Sequence, residues 1–317
     1  MADRLEVIKT YKLFIDGKFP RSESGRTIDL CRATSAKPAS ARRPRKSDEP
    51  TVLAHVCRAS RKDLRDAVSA ARRALPGWSG ATAYLRGQIL YRMAEMLEGK
   101  REEFVRALET GETARTASRT RAGAKASPAA EVQCVVDRLV CFAGWSDKFA
   151  QVLGCNNPVA GPYYNFTVPE PVGVVAVLAP DEPGLLGLVS LIAPALSAGN
   201  TVVAVAGANA AASLAGVLFA EVAATSDVPP GVLNLLTGER GELTGVVASH
   251  RDIDAVLAGG VDSESEAAIR AGVAENLKRV SIRGERGAQW FDAPRCQSPW
   301  WIEPLVNMKT MWHPAAT

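Results

Sequence analysis

The sequence predicts an α/β protein: a doubly wound parallel sheet with an N-terminal hairpin and a helical layer in front of it. Three observations carry that expectation. From Pro171 onward, continuous apolar runs (VGVVAVLA, TVVAVA, GVLNLL, IDAVLA) alternate with segments of helix length. That is the pattern of strands buried on both faces and joined by crossover helices. Ahead of Pro171, several segments space their apolar residues for one helical face instead. Finally, 47% hydrophobic and 23% charged residues over 317 positions supply a sizeable core without making a membrane or disordered chain.

The elements follow in order. Tyr11–Leu30 alternates apolar and polar residues around Asp16-Gly17, and Asp-Gly suits the positive φ angles of a tight hairpin turn. Residues 31–50 (CRATSAKPASARRPRKSDEP) hold almost no large apolar side chain. They cannot offset their ordering entropy by burial and read as a flexible basic loop. A basic arm for a polyanion, through Arg42, Arg43, Arg45 and Lys46, is the competing reading, and no interleaved aromatics support it. Order resumes at Ser60, where Ser60 and Asp63 form a capping box. Leu64, Ala67, Val68, Ala71 and Leu75 line one helical face, and Pro76-Gly77 is expected to end that helix. A second helix carries Leu85, Ile89, Leu90, Met93 and Leu97. A third starts near Glu102 with Phe104, Val105 and Leu108. After a second basic loop, 111–128, a fourth carries Val132, Val135, Leu139 and Phe142. These apolar positions read as core.

In a doubly wound sheet, ligands sit beyond the carboxyl ends of the strands. Those ends are Ala179-Pro180-Asp181-Glu182, Ala206-Gly207-Ala208, Thr237-Gly238 and Ala258-Gly259-Gly260. No GxGxxG follows the first strand, so the usual dinucleotide fingerprint is absent.

Charge and composition narrow the function classes. A net charge of +4 is mild, and no nucleic-acid partner is expected. Three histidines and six cysteines without a CxxC offer no metal site. The N-terminus lacks an apolar signal core. Gly184–Ala198, the longest uncharged apolar helix, contains Pro194 and is too short to span a bilayer. The expectation is a cytoplasmic protein with reduced thiols and no membrane contact.

The stretches PEPVGVVAVLAP, IAPALSAGNTVV, PPGVLNLLTG, SHRDIDAVLAGG and AENLKRVSI, with LFIDGKF upstream, resemble the aldehyde dehydrogenase superfamily from about Leu13 to Ile282. The resemblance implies that family's Rossmann-like NAD-binding half. It also implies what catalysis needs: a thiolate nucleophile, an amide at the oxyanion site, NAD as hydride acceptor and a glutamate base. The oxyanion asparagine position falls on Glu182, which as a carboxylate repels a developing oxyanion. The two ribose ligands after the second strand fall in Val205-Ala206-Gly207-Ala208. The general-base glutamate falls on Arg283. The relic cofactor positions are Ala179, Pro180, Asp181, Glu182, Gly238, Gly259 and Gly260.

Beyond Arg283 the family continues through a catalytic domain. Here 284–298 stands as a stub in its place, and 299–317 resembles the family's C-terminal oligomerisation strand. The resemblance then implies that residues 1–283 form the NAD-binding domain and that the catalytic domain is missing. The arrangement is most similar to the truncated C-terminal pseudo-domain of family 16 aldehyde dehydrogenases, with Pro180-Asp181-Glu182 as a closest point of likeness.

The resemblance therefore implies an inactive pseudoenzyme with no NAD(P) or weak NAD(P) binding. It is expected to assemble as a homo-oligomer, or with a full-length aldehyde dehydrogenase, through 299–317. The alternative is an NAD(P)-dependent oxidoreductase acting on aldehyde or oxo groups. Cys296, with Arg295 to lower its pKa, and Glu182 are the weak catalytic candidates. Cys134 and Cys141 are expected to face the core together, His250 to cap a helix, and Trp300, Trp301, Trp312 and His313 to serve an interface.

Overall fold

The computed structural model describes residues 7–31, 51–110, 126–274 and 276–315. Both basic loops fall largely outside these residues. Of their margins, Cys31 closes a strand and Pro128 opens a helix.

The Asp16-Gly17 turn forms as expected. Both residues have positive φ (55° and 71°), and Ile15 and Lys18 exchange two backbone hydrogen bonds across it. The rest of the expected hairpin is rerouted. Strands β1 (Thr10–Tyr11) and β2 (Thr27–Cys31) do not pair with each other. Each pairs with β3 (Val52–Cys57), β1 in parallel and β2 antiparallel. Sequence reasoning assigned no strand to Val52–Cys57. VLAHVC is short, interrupted by His55, and directly follows the basic stretch, so its period is masked. The turn's stem extends the main sheet: Phe14 and Leu235 exchange backbone bonds of 2.9 and 2.8 Å.

The capping box opens α1 (Arg61–Ser79): Ser60 Oγ accepts from the Lys62 and Asp63 amides, and Asp63 accepts from the Ser60 amide. The helix does not stop at Pro76. It continues to Ser79 because Trp78 is only 3% exposed. Burying an indole offsets a proline's lost hydrogen bond, the two being of similar size. Helices α2 (Ala83–Gly99), α3 (Arg101–Glu109) and α4 (Pro128–Trp145) form the expected layer, with Leu90, Met93, Phe104, Val135, Leu139 and Phe142 fully buried. A short α5 (Phe149–Leu153) leads to β4 (Cys155–Asn157) and β5 (Tyr163–Pro171).

The core then alternates as the apolar runs require: β6 (Val174–Leu178), α6 (Gly184–Ser197), β7 (Thr201–Val205), α7 (Ala210–Ala224), β8 (Leu233–Leu236), α8 (Arg240–Ser249), β9 (Ala255–Gly259), α9 (Ser263–Val273) and β10 (Arg279–Arg283). All five strands are parallel, ordered β10-β9-β6-β7-β8. Alternate residues feed two cores. Val175, Val177, Val202 and Ala204 pack under α6 and α7. Val174, Ala176, Leu178 and Val203 pack with Leu64, Val68, Leu243 and Ile269 of α1, α8 and α9. The chain order reverses between β6 and β9, which makes that gap the switch point.

Gly173, ahead of β6, shows how tightly the sheet is anchored. Its φ is 133°, and an added Cβ would lie 2.0 Å from Asp254 Oδ2. That oxygen accepts from the Val174 amide and pairs with Arg72. Gly173→Ala is expected to cost at least about 1–3 kcal/mol, read as a fall in the urea midpoint. An unchanged midpoint would contradict this anchoring.

After a short α10 (Ala293–Cys296), the chain ends in β11 (Val306–Pro314). Sequence reasoning assigned no strand to residues 155–171. In the structure β11 pairs antiparallel with β5 over its whole length, in a sheet ordered β11-β5-β4. β11 is therefore an edge strand, with most of its residues exposed. Among the described residues, no helix is long and apolar enough to cross a membrane.

Candidate functional site

The switch point brings together Ala179, Pro180 and Asp181 after β6 with Gly259 and Gly260 at the end of β9. Pro180 and Gly260 are already in contact, because a Cβ on Gly260 would lie 2.8 Å from Pro180 Cβ. Arg240, in the first turn of α8, bridges the two strand ends. Its Nη1 donates to the Ala179 carbonyl at 2.7 Å and its Nη2 to the Gly260 carbonyl at 3.3 Å. The same Nη2 lies 3.6 Å from the Asp181 carboxylate. Asp181 also accepts from the Ala208 amide at 2.7 Å, and its carbonyl accepts from Asn209 Nδ2 at 2.8 Å. The clamp thus joins the ends of β6, β7 and β9 around one guanidinium.

The helix N-termini beside the crevice are supplied from within the chain. The Leu185 and Leu186 amides at the start of α6 both donate to Glu131 Oε1 at 3.0 Å. Asn209 caps α7 through the Ala212 amide, and Asp262 caps α9 through the Ser265 amide. The Asp262 carboxyl is held below its usual range by that hydrogen bonding. A helix N-terminus that already holds a carboxylate is a poor seat for a phosphate.

Residues 284–298, the expected stub, pack beside the site. Trp290 is fully buried, and its ring would lie 3.1 Å from a Cβ on Gly259. Arg138 of α4, 1% exposed, donates to the Trp290 carbonyl at 2.9 Å and to Ser190 Oγ of α6 at 2.6 Å. Arg283, which the resemblance places at the general-base position, stacks over the Trp301 ring with its guanidinium carbon 4.1 Å from the centroid. Burial pushes its pKa down.

The sequence candidates are scattered. Glu182 is exposed on the turn after Asp181. Gly238 lies at the end of β8, against Arg58 and Ala59, away from the β6–β9 gap. Cys296 is fully buried, and its Sγ donates to the Gln289 carbonyl at 3.3 Å. Burial pushes its thiol up, and the cation that opposes this most is Arg138. Arg295, expected to activate the thiol, is held instead by Glu285 at 3.0 Å. Cys134 and Cys141 are half-buried, with Cys141 donating to the Gln297 carbonyl of the stub. His250 caps α8 as expected, through its backbone amide to the Val246 carbonyl. Trp301 is buried, whereas Trp300 and Trp312 are exposed. Among the described residues, no group of three or more His, Cys, Asp or Glu could hold a metal ion.

Against this geometry, the sequence profile of the Aldehyde dehydrogenase family matches residues 35–286. The chain belongs to the aldehyde dehydrogenase family. It is 30% identical over 275 residues to aldehyde dehydrogenase family 2 member B4, mitochondrial, of Arabidopsis thaliana, covering 86% of this chain and 46% of that protein. It is 31% identical over 281 residues to retinal dehydrogenase 2 of Mus musculus, covering 87% and 48%. The structure of the NAD+ complex of aldehyde dehydrogenase from Bacillus cereus superposes with a TM-score of 0.72 at 27% identity, covering 86% of this chain and 50% of that one. The chain spans about half the length of the curated relatives it matches.

The residues present do not fit a dinucleotide seated as the family resemblance implies. The two ribose-ligand positions that the resemblance implies fall within Val205-Ala206-Gly207-Ala208, and the space above Gly207 is taken by Asp181 Oδ1, 3.0 Å from where a Cβ would sit. The switch point itself holds Arg240. Sequence reasoning missed Arg240, Glu131 and Trp290. Each reads as an ordinary helix-end or core residue until the fold brings it to the strand ends.

Proposed function

We propose that this chain is a non-catalytic aldehyde dehydrogenase-like subunit. It assembles with itself, or with a full-length aldehyde dehydrogenase, through residues 299–317. The clamp of Arg240 across Ala179, Gly260 and Asp181 carries the reading, because it fills with the chain's own groups the gap a dinucleotide needs. Glu182 and Arg283 support it, since neither can do the work of the amide or the base whose positions they take. The assembly half is supported by β11, a long edge strand with Met308, Met311 and Trp312 exposed. Six free cysteines suit a reducing compartment such as the cytoplasm.

Calorimetry with NAD and NADP at millimolar concentration should give no saturable heat, and aldehydes should give no NADH. Turnover that disappears in Cys296→Ala would instead establish the oxidoreductase reading. The assembly half is tested by light scattering alone and by co-purification with a co-expressed full-length dehydrogenase. A chain that stays monomeric and never co-purifies overturns it.

A further inference from the structure

We infer that a cavity at the amino-terminal edge of the main sheet binds a small oxyanion, the phosphate or carboxylate group of a small molecule. The cavity has a volume of about 210 Å³ and lies at the opposite end of the strands from the switch point. Val172, Arg251, Asp254, Lys278, Arg279 and Asn307 contribute to its lining. A water occupies about 30 Å³, so the space admits a phosphate with part of its hydration shell.

The charge balance selects the ligand. Three cations line the cavity, and among the described residues none has a carboxylate as hydrogen-bond partner. Lys278 Nζ donates to the Ala248 carbonyl at 3.1 Å. Arg279 donates to the Val306 carbonyl at 2.6 Å and to Asn307 Oδ1 at 2.7 Å. Arg251 makes no hydrogen bond or ion pair among the described residues. Asp254 is the one carboxylate in the lining, and it is already engaged by Arg72 at 2.8 Å and by the Val174 amide at 2.7 Å. Positive charge therefore exceeds negative charge in a small polar space, where an oxyanion gains charge-assisted hydrogen bonds.

The state of Lys278 agrees. The residue is 7% exposed, and burial lowers its pKa to about 8 against the opposing pull of Asp254. Other titratable or charged groups around this corner are His250 and Asp252 after α8, and Arg65 and Arg72 from α1. A bound oxyanion supplies the missing counter-charge and draws a proton onto Lys278. Because Arg279 and Asn307 also hold the root of β11, occupancy ties the terminal strand to the main sheet.

The test is calorimetric titration of the full chain with inorganic phosphate, and separately with acetate, at pH 8 and constant ionic strength. Saturable binding of phosphate, acetate or both is expected. Repeating it with acetate in buffers of different ionisation enthalpy should reveal net proton uptake, because burial leaves part of Lys278 neutral at this pH. Phosphate alone binding assigns a phosphoryl ligand, and acetate alone assigns a carboxylate. Equal binding assigns the shared oxyanion chemistry. Arg251→Ala should weaken binding about tenfold. Adding Lys278→Met should abolish binding and proton uptake together. Should the double variant fail to fold, Arg251→Ala decides alone, since Arg251 is exposed. Absence of saturable binding by either anion, or wild-type affinity in Arg251→Ala, overturns the assignment.

Discussion

Trp290→Ala should lower the stability of the chain by about 3–5 kcal/mol, the usual range for deleting a fully buried indole. The side chain fills the space against Gly259 and meets Trp301 edge to face, with ring centroids 5.9 Å apart. No polar group can take its place there. It is also the main apolar anchor of the stub, whose other fully buried side chain is that of Cys296. The measurement is the urea midpoint at unchanged slope. A loss below about 1 kcal/mol would mean that the stub is not packed as described. Nucleotide affinity should not appear in the variant, because the Arg240 clamp does not involve Trp290. If NAD binding does emerge in Trp290→Ala, the stub rather than the clamp is what closes the crevice.

That separation between stub and clamp shows where sequence reasoning reached and where it ended. The parallel sheet was legible because its strands are buried on both faces, so apolar runs such as VGVVAVLA leave little other reading. The capping box at Ser60 and the turn at Asp16-Gly17 were legible because each rests on local backbone chemistry. The strands β3, β4 and β5 were not. CNN and YYNFTVPEP sit in a sheet with much of its surface exposed, so no sharp alternation marks them. At the site, the sequence marked Asp181, Gly259 and Gly260 as strand-end residues, and they do converge. Arg240 was invisible because its role depends on carbonyls 61 and 20 residues away in the chain. Nothing near GERGE distinguishes it from an exposed helix-end arginine. Long-range polar contacts of this kind carry no periodic signature.

Arg138 gives the second large effect, and comparing two substitutions separates its causes. Arg138→Ala removes a side chain that is 99% buried, leaves a cavity between α4 and α6, and strips the Ser190 hydroxyl and Trp290 carbonyl of their donor. A loss of about 2–4 kcal/mol follows from the cavity and the unpaired groups together. Arg138→Met keeps most of the volume and removes the charge. That charge is poorly compensated: burial lowers its pKa, and the groups that oppose this are the thiols of Cys296, Cys134 and Cys141 rather than any carboxylate. Its Nε has no hydrogen-bond partner among the described residues. Replacing a buried cation by an apolar side chain of similar size is often neutral or stabilising. Arg138→Met leaves the same two groups without their donor but no large cavity and no buried charge, so it should lose clearly less than Arg138→Ala, by about 1–2 kcal/mol. Equal losses in the two variants would show that the guanidinium's hydrogen bonds, not its bulk, hold the stub against α4 and α6.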